Sequence, residues 1–257
     1  VSGLVRHAAD APERRTGNDA AALRDVIDAA HGCELFTLRQ LRVVTGRSAA
    51  RSTGEADELL FVRSGRGLLI TADGEHRLEP ETGALVARGD HYELDNEGPE
   101  DLLVVDCCLH APLPGEGGER PATRLSVLAD ATAQAATAER EFRIVFDPDN
   151  GCSCATQFVG YIPVGAAPAH YHLYDEVIYI LEGEGVMHMN AAQTPLSAGS
   201  CIHLPARTVH ILANSGPGVM RVLGVFRPAG SPAAAFYPDG TPATYGVGEP
   251  KLASMST

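Results

Sequence analysis

The sequence predicts an all-β chain built from the same domain twice, and three observations carry that prediction. A stretch of the first half recurs in the second half. The chain breaks into short β-type runs separated by turn residues. Neither half contains a long amphipathic helix. The recurrence is the strongest of the three, since self-similarity at a fixed interval marks a duplicated architecture. DELLFVRSGRGLLI (57–70) reappears 118 residues later as DEVIYILEGEGVMH (175–188). At the same interval LDNEGPEDLLVVD (94–106) lies over LANSGPGVMRVLG (212–224), with Leu, Asn, Gly and Pro in register. With one residue more, LRDVIDAAHGC (23–33) lies over FRIVFDPDNGC (142–152), so that Asp28, Gly32, Cys33 and Gly46 fall on Asp147, Gly151, Cys152 and Gly165. Residues 22–111 and 141–229 are therefore read as one fold repeated.

Each half supplies several β-type runs, among them FTLRQLRVV, ELLFV, LLVVD, TQFVGYI, EVIYILEG and MRVLGVF, bounded by Gly, Pro, Asn and Asp. AALRDVIDAA could form a helix by composition. Its repeat partner FRIVFDPDNG is β-like and ends in a D-P-D-N-G turn, so the segment is read as a strand. Many short strands with regular turns imply a sandwich or a barrel. The expected boundaries are an N-terminal domain over 1–111, a linker over 112–140, a C-terminal domain over 141–229 and a tail over 230–257. The linker is Pro/Gly-rich and then Ala-rich, with room for a short helix. The tail has little periodicity and is expected to wrap the surface or fray.

Charge excludes some functions. The 257 residues carry 33 Asp and Glu against 20 Lys and Arg, a net charge of −13. Nucleic acid and anionic membrane surfaces both call for the opposite sign, so neither is expected as a partner. No stretch reaches the length of an apolar membrane span, and VSGLVRHAADAPERR has no signal-peptide core. The six cysteines form no zinc-ribbon pattern. Cys107 and Cys108 read as strand residues on opposite faces, and Cys152 and Cys154 as small strand residues after a turn. A reduced, cytoplasmic protein follows as the expectation.

Two stretches of the second half carry chemistry: GAAPAHYHLYDEVIYILEG (165–183) and GSCIHLPARTVHILAN (199–214). His170 and His172 are two apart on an extended segment, so their imidazoles face the same way. Glu176 begins a strand whose alternate residues Ile178 and Ile180 share its face, which sets an acid against an apolar wall. His210 arrives from a separate strand. Three imidazoles and one carboxylate suit a divalent first-row metal: Fe, Mn, Co, Ni or Zn. Four ligands on an octahedral ion leave two open positions, as a reacting centre requires.

This pattern resembles the two signature motifs of the cupin superfamily, G-x5-H-x-H-x3-E-x6-G and G-x5-P-x-G-x2-H-x3-N, with all four metal-binding positions present. It departs in a shortened opening spacer and in Arg207, which stands at the second motif's middle glycine. The resemblance implies two tandem jelly-roll-like double-stranded β-helix barrels, a bicupin. In the first half the repeat puts Arg51 or Ser52 at the place of His170, Thr53 or Gly54 at that of His172, and Tyr92 at that of His210. Glu58 alone keeps its counterpart, Glu176. A single carboxylate will not hold a transition metal, so one metal per chain is expected, in the C-terminal barrel.

Other residues near the motifs are weaker candidates. His203, with Cys201, precedes Pro205 and is a candidate proton shuttle if its strand turns it inward; His188 is equally undecided between faces. Tyr171 and Tyr174 flank the ligands, as aromatic packing or, for Tyr174, as a substrate contact. Arg207 is a solvated loop residue or a bidentate partner for a substrate carboxylate. The resemblance implies a metal-dependent enzyme acting on a small molecule, with a homodimer left open. The leading expectation is an Fe(II)- or Mn(II)-dependent dioxygenase in which Glu176 alternates between ligand and proton acceptor. The alternatives are a non-redox isomerase, cyclase or ureidoglycine-aminohydrolase-like hydrolase, and a small-molecule sensor. The sensor lacks a DNA-binding helix pair or basic stripe to give it an output.

Overall fold

The computed structural model describes residues 3–110, 121–136 and 138–243. The chain divides into two compact units. One comprises Arg6–Ala131 with Asp149–Ser153, and the other comprises Val1–Val5, Thr132–Pro148 and Cys154–Thr257. We call them the first and second barrels.

The first barrel is a pair of antiparallel sheets. The larger runs in the order Arg124–Val127, Thr82–Val86, Asp57–Ser64, Leu102–Leu109, Phe36–Val43, Ala21–Ile27. The smaller has the order Gly46–Arg47, His91–Asn96, Gly67–Thr71, Gly74–Leu78, with Arg51–Ser52 also on His91–Asn96. Alternate residues of the larger sheet (Leu41, Leu60, Val62, Val86, Val104) meet Leu69, Leu78, Tyr92 and Leu94 of the smaller. This is the inward set that period-two patterning requires.

The second barrel repeats the plan. Its larger sheet has the order Leu4–His7, Ser200–Leu204, Asp175–Glu182, Met220–Arg227, Thr156–Ile162, Glu141–Phe146, Gln134–Ala135. Its smaller sheet has the order Gly165–Ala166, His210–Asn214, Glu184–Met189, Ala192–Ser197. Ile162, Ile178, Ile180, Ile202 and Val222 pack there against Met187, Met189, Leu196 and Leu212.

The repeat read from the sequence extends to single hydrogen bonds. Asn96 Nδ2 donates to the carbonyls of Val43 and Glu100, both at 2.8 Å, and its Oδ1 accepts from Gly98 N–H at 2.9 Å. Asn214 does the same with Ile162 at 2.8 Å, Gly218 at 2.7 Å and Gly216 at 3.0 Å. Each amide satisfies three backbone groups at a sheet corner, which accounts for the pairing of N-x-G-P in both halves. AALRDVI is strand, as its repeat partner indicated.

The boundaries differ from those drawn from composition. Residues 1–5 belong to the second barrel, although 1–111 was assigned to the first. The expected linker is partly structural. Arg124–Val127 pairs with Thr82–Val86 in the first barrel, and Gln134–Ala135 pairs with Glu141–Phe146 in the second. Edge strands are held by backbone hydrogen bonds, which any non-proline residue can supply, so composition does not mark them. Residues 112–120 of the linker and 244–257 of the tail lie outside the described residues. Among the described residues, no helix is long and apolar enough to cross a membrane, and all six cysteines are buried and form no disulfide.

Candidate metal centre

Four side chains from three segments meet inside the second barrel. His170 and His210 face each other across a short antiparallel bridge, each backbone N–H donating to the other's carbonyl at 3.1 and 2.9 Å. His172 follows on a bend, where its carbonyl accepts the N–H of Arg207 at 2.7 Å. Glu176 is the second residue of Asp175–Glu182, paired with Leu204 on one side and Phe226 on the other. One ring nitrogen from each histidine lies within 4.8 Å of the other two. The Glu176 Oε2 is 4.0 Å from His172 Nε2.

The donor set is prepared for a cation in both geometry and charge. The Nδ1 atoms of His170, His172 and His210 lie 2.8, 2.8 and 2.9 Å from the carbonyl oxygens of Pro168, Ala234 and Thr208. A carbonyl only accepts, so each Nδ1 carries the proton and each Nε2 keeps a free lone pair. Such bonds orient ligating imidazoles and raise their basicity toward a metal. All three rings are held neutral at pH 7. Burial is the main cause, with Arg140 adding to it for all three and neighbouring imidazoles for His172 and His210: His170 is lowered, His172 falls to about 3, and His210 lies well below the usual value. Burial raises Glu176 to about 8, so without a cation this carboxyl keeps its proton. Three neutral nitrogens and one buried carboxyl oxygen fit a divalent first-row metal.

The surroundings are mostly apolar. Phe158, Ile162, Ile178, Leu212 and Val222 line the pocket beside the ligands, with Pro232 and Ala235 from the C-terminal segment. Its empty space, open mouth included, is about 620 Å³. Tyr174 stacks on the His172 ring, centroids 4.7 Å apart, and on Phe226 at 3.9 Å. Gly224 leaves room for the Phe158 ring: a Cβ there would overlap the ring and lie 3.2 Å from Glu176 Oε1.

The other sequence candidates separate clearly. His203 is not in the pocket. It pairs with Val177, while Glu176 pairs with Leu204, so it points to the opposite face of the sheet, 3.5 Å from Asp175 Oδ1. Cys201, two residues earlier, shares that face. His188 is half-buried and alternates with the inward Met187 and Met189, so it faces away from the core. One residue of register decides the face, and the sequence left that register open. Arg207 is exposed and is not among the residues that line this pocket. Its backbone is what the site uses. With φ of 67° it takes the left-handed turn that the motif gives to glycine, and Gly89, its counterpart, takes φ of 82°. Tyr174 serves as packing under His172 and is not among the lining residues.

Three features were missed. The tail does not simply wrap or fray: Ala234 holds His172, and Phe236 exchanges backbone hydrogen bonds of 2.9 Å with Tyr171 and stacks on its ring. Arg140, placed in the linker, lines the pocket. The place of Phe158 and Gly224 was also unread. Comparing repeat partners residue by residue offered a signal for two of these. Arg140 stands where the first half has Ala21, and Phe158 with Gly224 stand where it has Arg39 with Asp106.

The first barrel shows what fills the equivalent space. Arg51 pairs with Tyr92 as His170 pairs with His210, so Arg51 is the counterpart of His170. Gly89 N–H bonds the carbonyl of Gly54 at 2.7 Å, as Arg207 bonds His172, so Gly54 is the counterpart of His172. The one-residue gap therefore falls between Arg51 and Gly54. Glu58 accepts the Tyr92 hydroxyl proton at 2.7 Å and pairs with Arg39 at 3.1 Å. Arg39 Nε lies 2.6 Å from Asp106, as an ion pair without hydrogen-bond alignment, and the guanidinium also contacts Cys108. Glu58, Asp106 and Cys108 are close enough together to hold an ion. Each of them already faces the Arg39 cation.

Comparison with known proteins agrees with this geometry. A family model described as a cupin domain matches residues 157–226. No curated protein matches the chain by sequence. Among solved structures, a Pseudomonas aeruginosa protein described as glyoxylate-induced superposes with a TM-score of 0.72 at 18% identity, over 87% of this chain and 88% of that one. The Escherichia coli protein Ylba gives 0.71 at 11% identity, over 88% and 90%. A variant of Bacillus subtilis oxalate decarboxylase gives 0.72 at 13% identity, over 93% and 80%. At these identities the likeness is one of fold.

Proposed function

The chain belongs to the cupin superfamily as a bicupin, and from that premise we propose that it is a metal-dependent enzyme whose single metal is held by His170, His172, Glu176 and His210. The observation that carries this is the set of three Nδ1–H bonds to carbonyls, which turns three lone pairs into one apolar pocket. The reading extends to an Fe(II)- or Mn(II)-dependent dioxygenase acting on a small organic substrate. When bound, such an ion supplies Lewis acidity and a one-electron redox couple.

The chain's own residues do the rest. Tyr174 and Phe226 back the His172 ring and fix its plane, while the apolar wall keeps bulk water from the reacting atoms. Glu176 is buried among the imidazoles and would be ionised with a cation beside it, so it is the group placed to take a proton from an incoming hydroxyl. The oxalate decarboxylase among the structural relatives supports a second reading, a metal-assisted reaction in which oxygen is not consumed.

Purified protein loaded with Fe(II), Mn(II) or Zn(II) and screened against small organic acids separates the two. Oxygen uptake with Fe or Mn and none with Zn, which has no accessible redox change, supports the dioxygenase. Turnover by the zinc form without oxygen moves the reading to the second. Metal content near two per chain, lost on changing Glu58, would refute the single-site assignment.

A further inference from the structure

One charge in the pocket meets no opposite charge among the described residues. Arg140 stands just before Glu141–Phe146, in the turn from Gln134–Ala135, and lines the same cavity as His170, His172, Glu176 and His210. Its guanidinium makes one hydrogen bond, from Nη2 to the carbonyl of Leu212 at 2.5 Å. A guanidinium has five N–H donors in a planar fork. Among the described residues no carboxylate stands within ion-pair distance of it, and burial draws its pKa down to about 10. By contrast Arg39, in the first barrel, is met by two carboxylates. The repeat partner of Arg140 is the buried core residue Ala21, so the barrel does not need a cation at this position to fold.

Charge balance sharpens the point. A divalent ion with Glu176 ionised leaves one positive charge among the ligands, and Arg140 adds a second. Phe158, Ile178, Leu212 and Val222 contribute none, and the other acidic lining residue, Glu141, is exposed to solvent and makes no ion pair with Arg140 among the described residues. Unpaired charge in a poorly solvated space is unfavourable until an anion enters. The planar fork matches a carboxylate.

We propose that Arg140 is the anion-recognition residue of this site and that the substrate is a small organic carboxylate, its apolar body against Phe158, Ile178 and Val222 and its carboxylate on the free edge of the guanidinium. This rests on the metal-enzyme reading above and adds the substrate class to it.

The test reads binding instead of turnover. Zinc-loaded protein is titrated by calorimetry with 4-methyl-2-oxopentanoate and with its neutral methyl ester. Hydrogen bonds to charged groups predict that the acid binds at least about tenfold more tightly than the ester. Arg140→Gln should shrink that preference below about threefold, and Arg140→Lys, a point charge without the fork, should fall between. Zinc content at saturation should stay unchanged in both variants, since Arg140 is not a ligand. The proposal is overturned if the acid fails to bind, if acid and ester bind alike, or if Arg140→Gln keeps the preference. Loss of zinc binding in the wild-type protein would instead defeat the metal reading. The same titration on metal-free protein then decides Arg140 separately, through an acid preference that Arg140→Gln either removes or leaves.

Discussion

Arg39→Met deletes the guanidinium that joins Glu58 and Asp106 in the first barrel while keeping a side chain of similar reach. The two carboxylates lie 3.1 and 2.6 Å from Arg39, and their side chains are 5% and 0% exposed. Removing one partner of a buried pair typically costs about 3–5 kcal/mol, because the other charge stays behind uncompensated. Glu58 retains its bond from Tyr92, so most of the loss falls on Asp106. At about 2–4 °C per kcal/mol, the melting temperature should drop by about 10 °C at pH 8.

The pH dependence follows from Asp106. Burial raises it to about 7 even with Arg39 opposing, so removing Arg39 moves it higher still. The folded state then keeps a proton that the unfolded state releases above the ordinary carboxylate range, and stability falls as pH rises. At pH 5 the folded variant holds Asp106 protonated, and the penalty should shrink. Thermal melts at pH 5 and pH 8, with metal content measured in parallel, check the reasoning. A loss under about 1 kcal/mol at pH 8, against the cost expected for a broken buried pair, or an equal loss at both pH values, would refute it.

His172→Ala should abolish metal binding and turnover while the barrel stays folded. Changes to residues that merely support ligands already cost about 10–100-fold, so a variant keeping more than about a tenth of wild-type turnover shows that the site is elsewhere. Gly224→Ala should destabilise the second barrel by about 1–3 kcal/mol, typical of overpacking. The new methyl meets a Phe158 ring already boxed in by Phe142 and Phe226, and crowds Glu176; unchanged stability and metal affinity would contradict that packing. Above the ordinary histidine value, where His170, His172 and His210 are neutral in folded and unfolded chains alike, the metal-free protein should lose stability as pH rises to about 8, because folded Glu176 retains a proton that the unfolded chain gives up. Zinc loading should remove the Glu176 share of that slope and leave the share of Asp106, and a metal-free melting temperature that is flat with pH over that window would count against a buried neutral Glu176.

The sequence by itself determined the duplication, the all-β class and the four residues proposed as ligands. Each of these is written locally. Extended backbone puts His170 and His172 on one side, turn residues mark strand ends, and two copies of N-x-G-P close the same corner. Tertiary structure alone decided which face His203 takes, since a single residue of register reverses it. It also decided where the gap between Arg51 and Gly54 falls, because only the partner strands fix that alignment. Leu4 and Val5 join the second barrel and Arg124–Val127 the first through backbone pairing, which leaves no pattern in side chains. Arg140 and Ala234 reach the metal centre from segments without periodicity, one before the ligand motifs and one after them. Such contacts between distant stretches depend on the barrel closing around them, and local spacing holds no record of that closure.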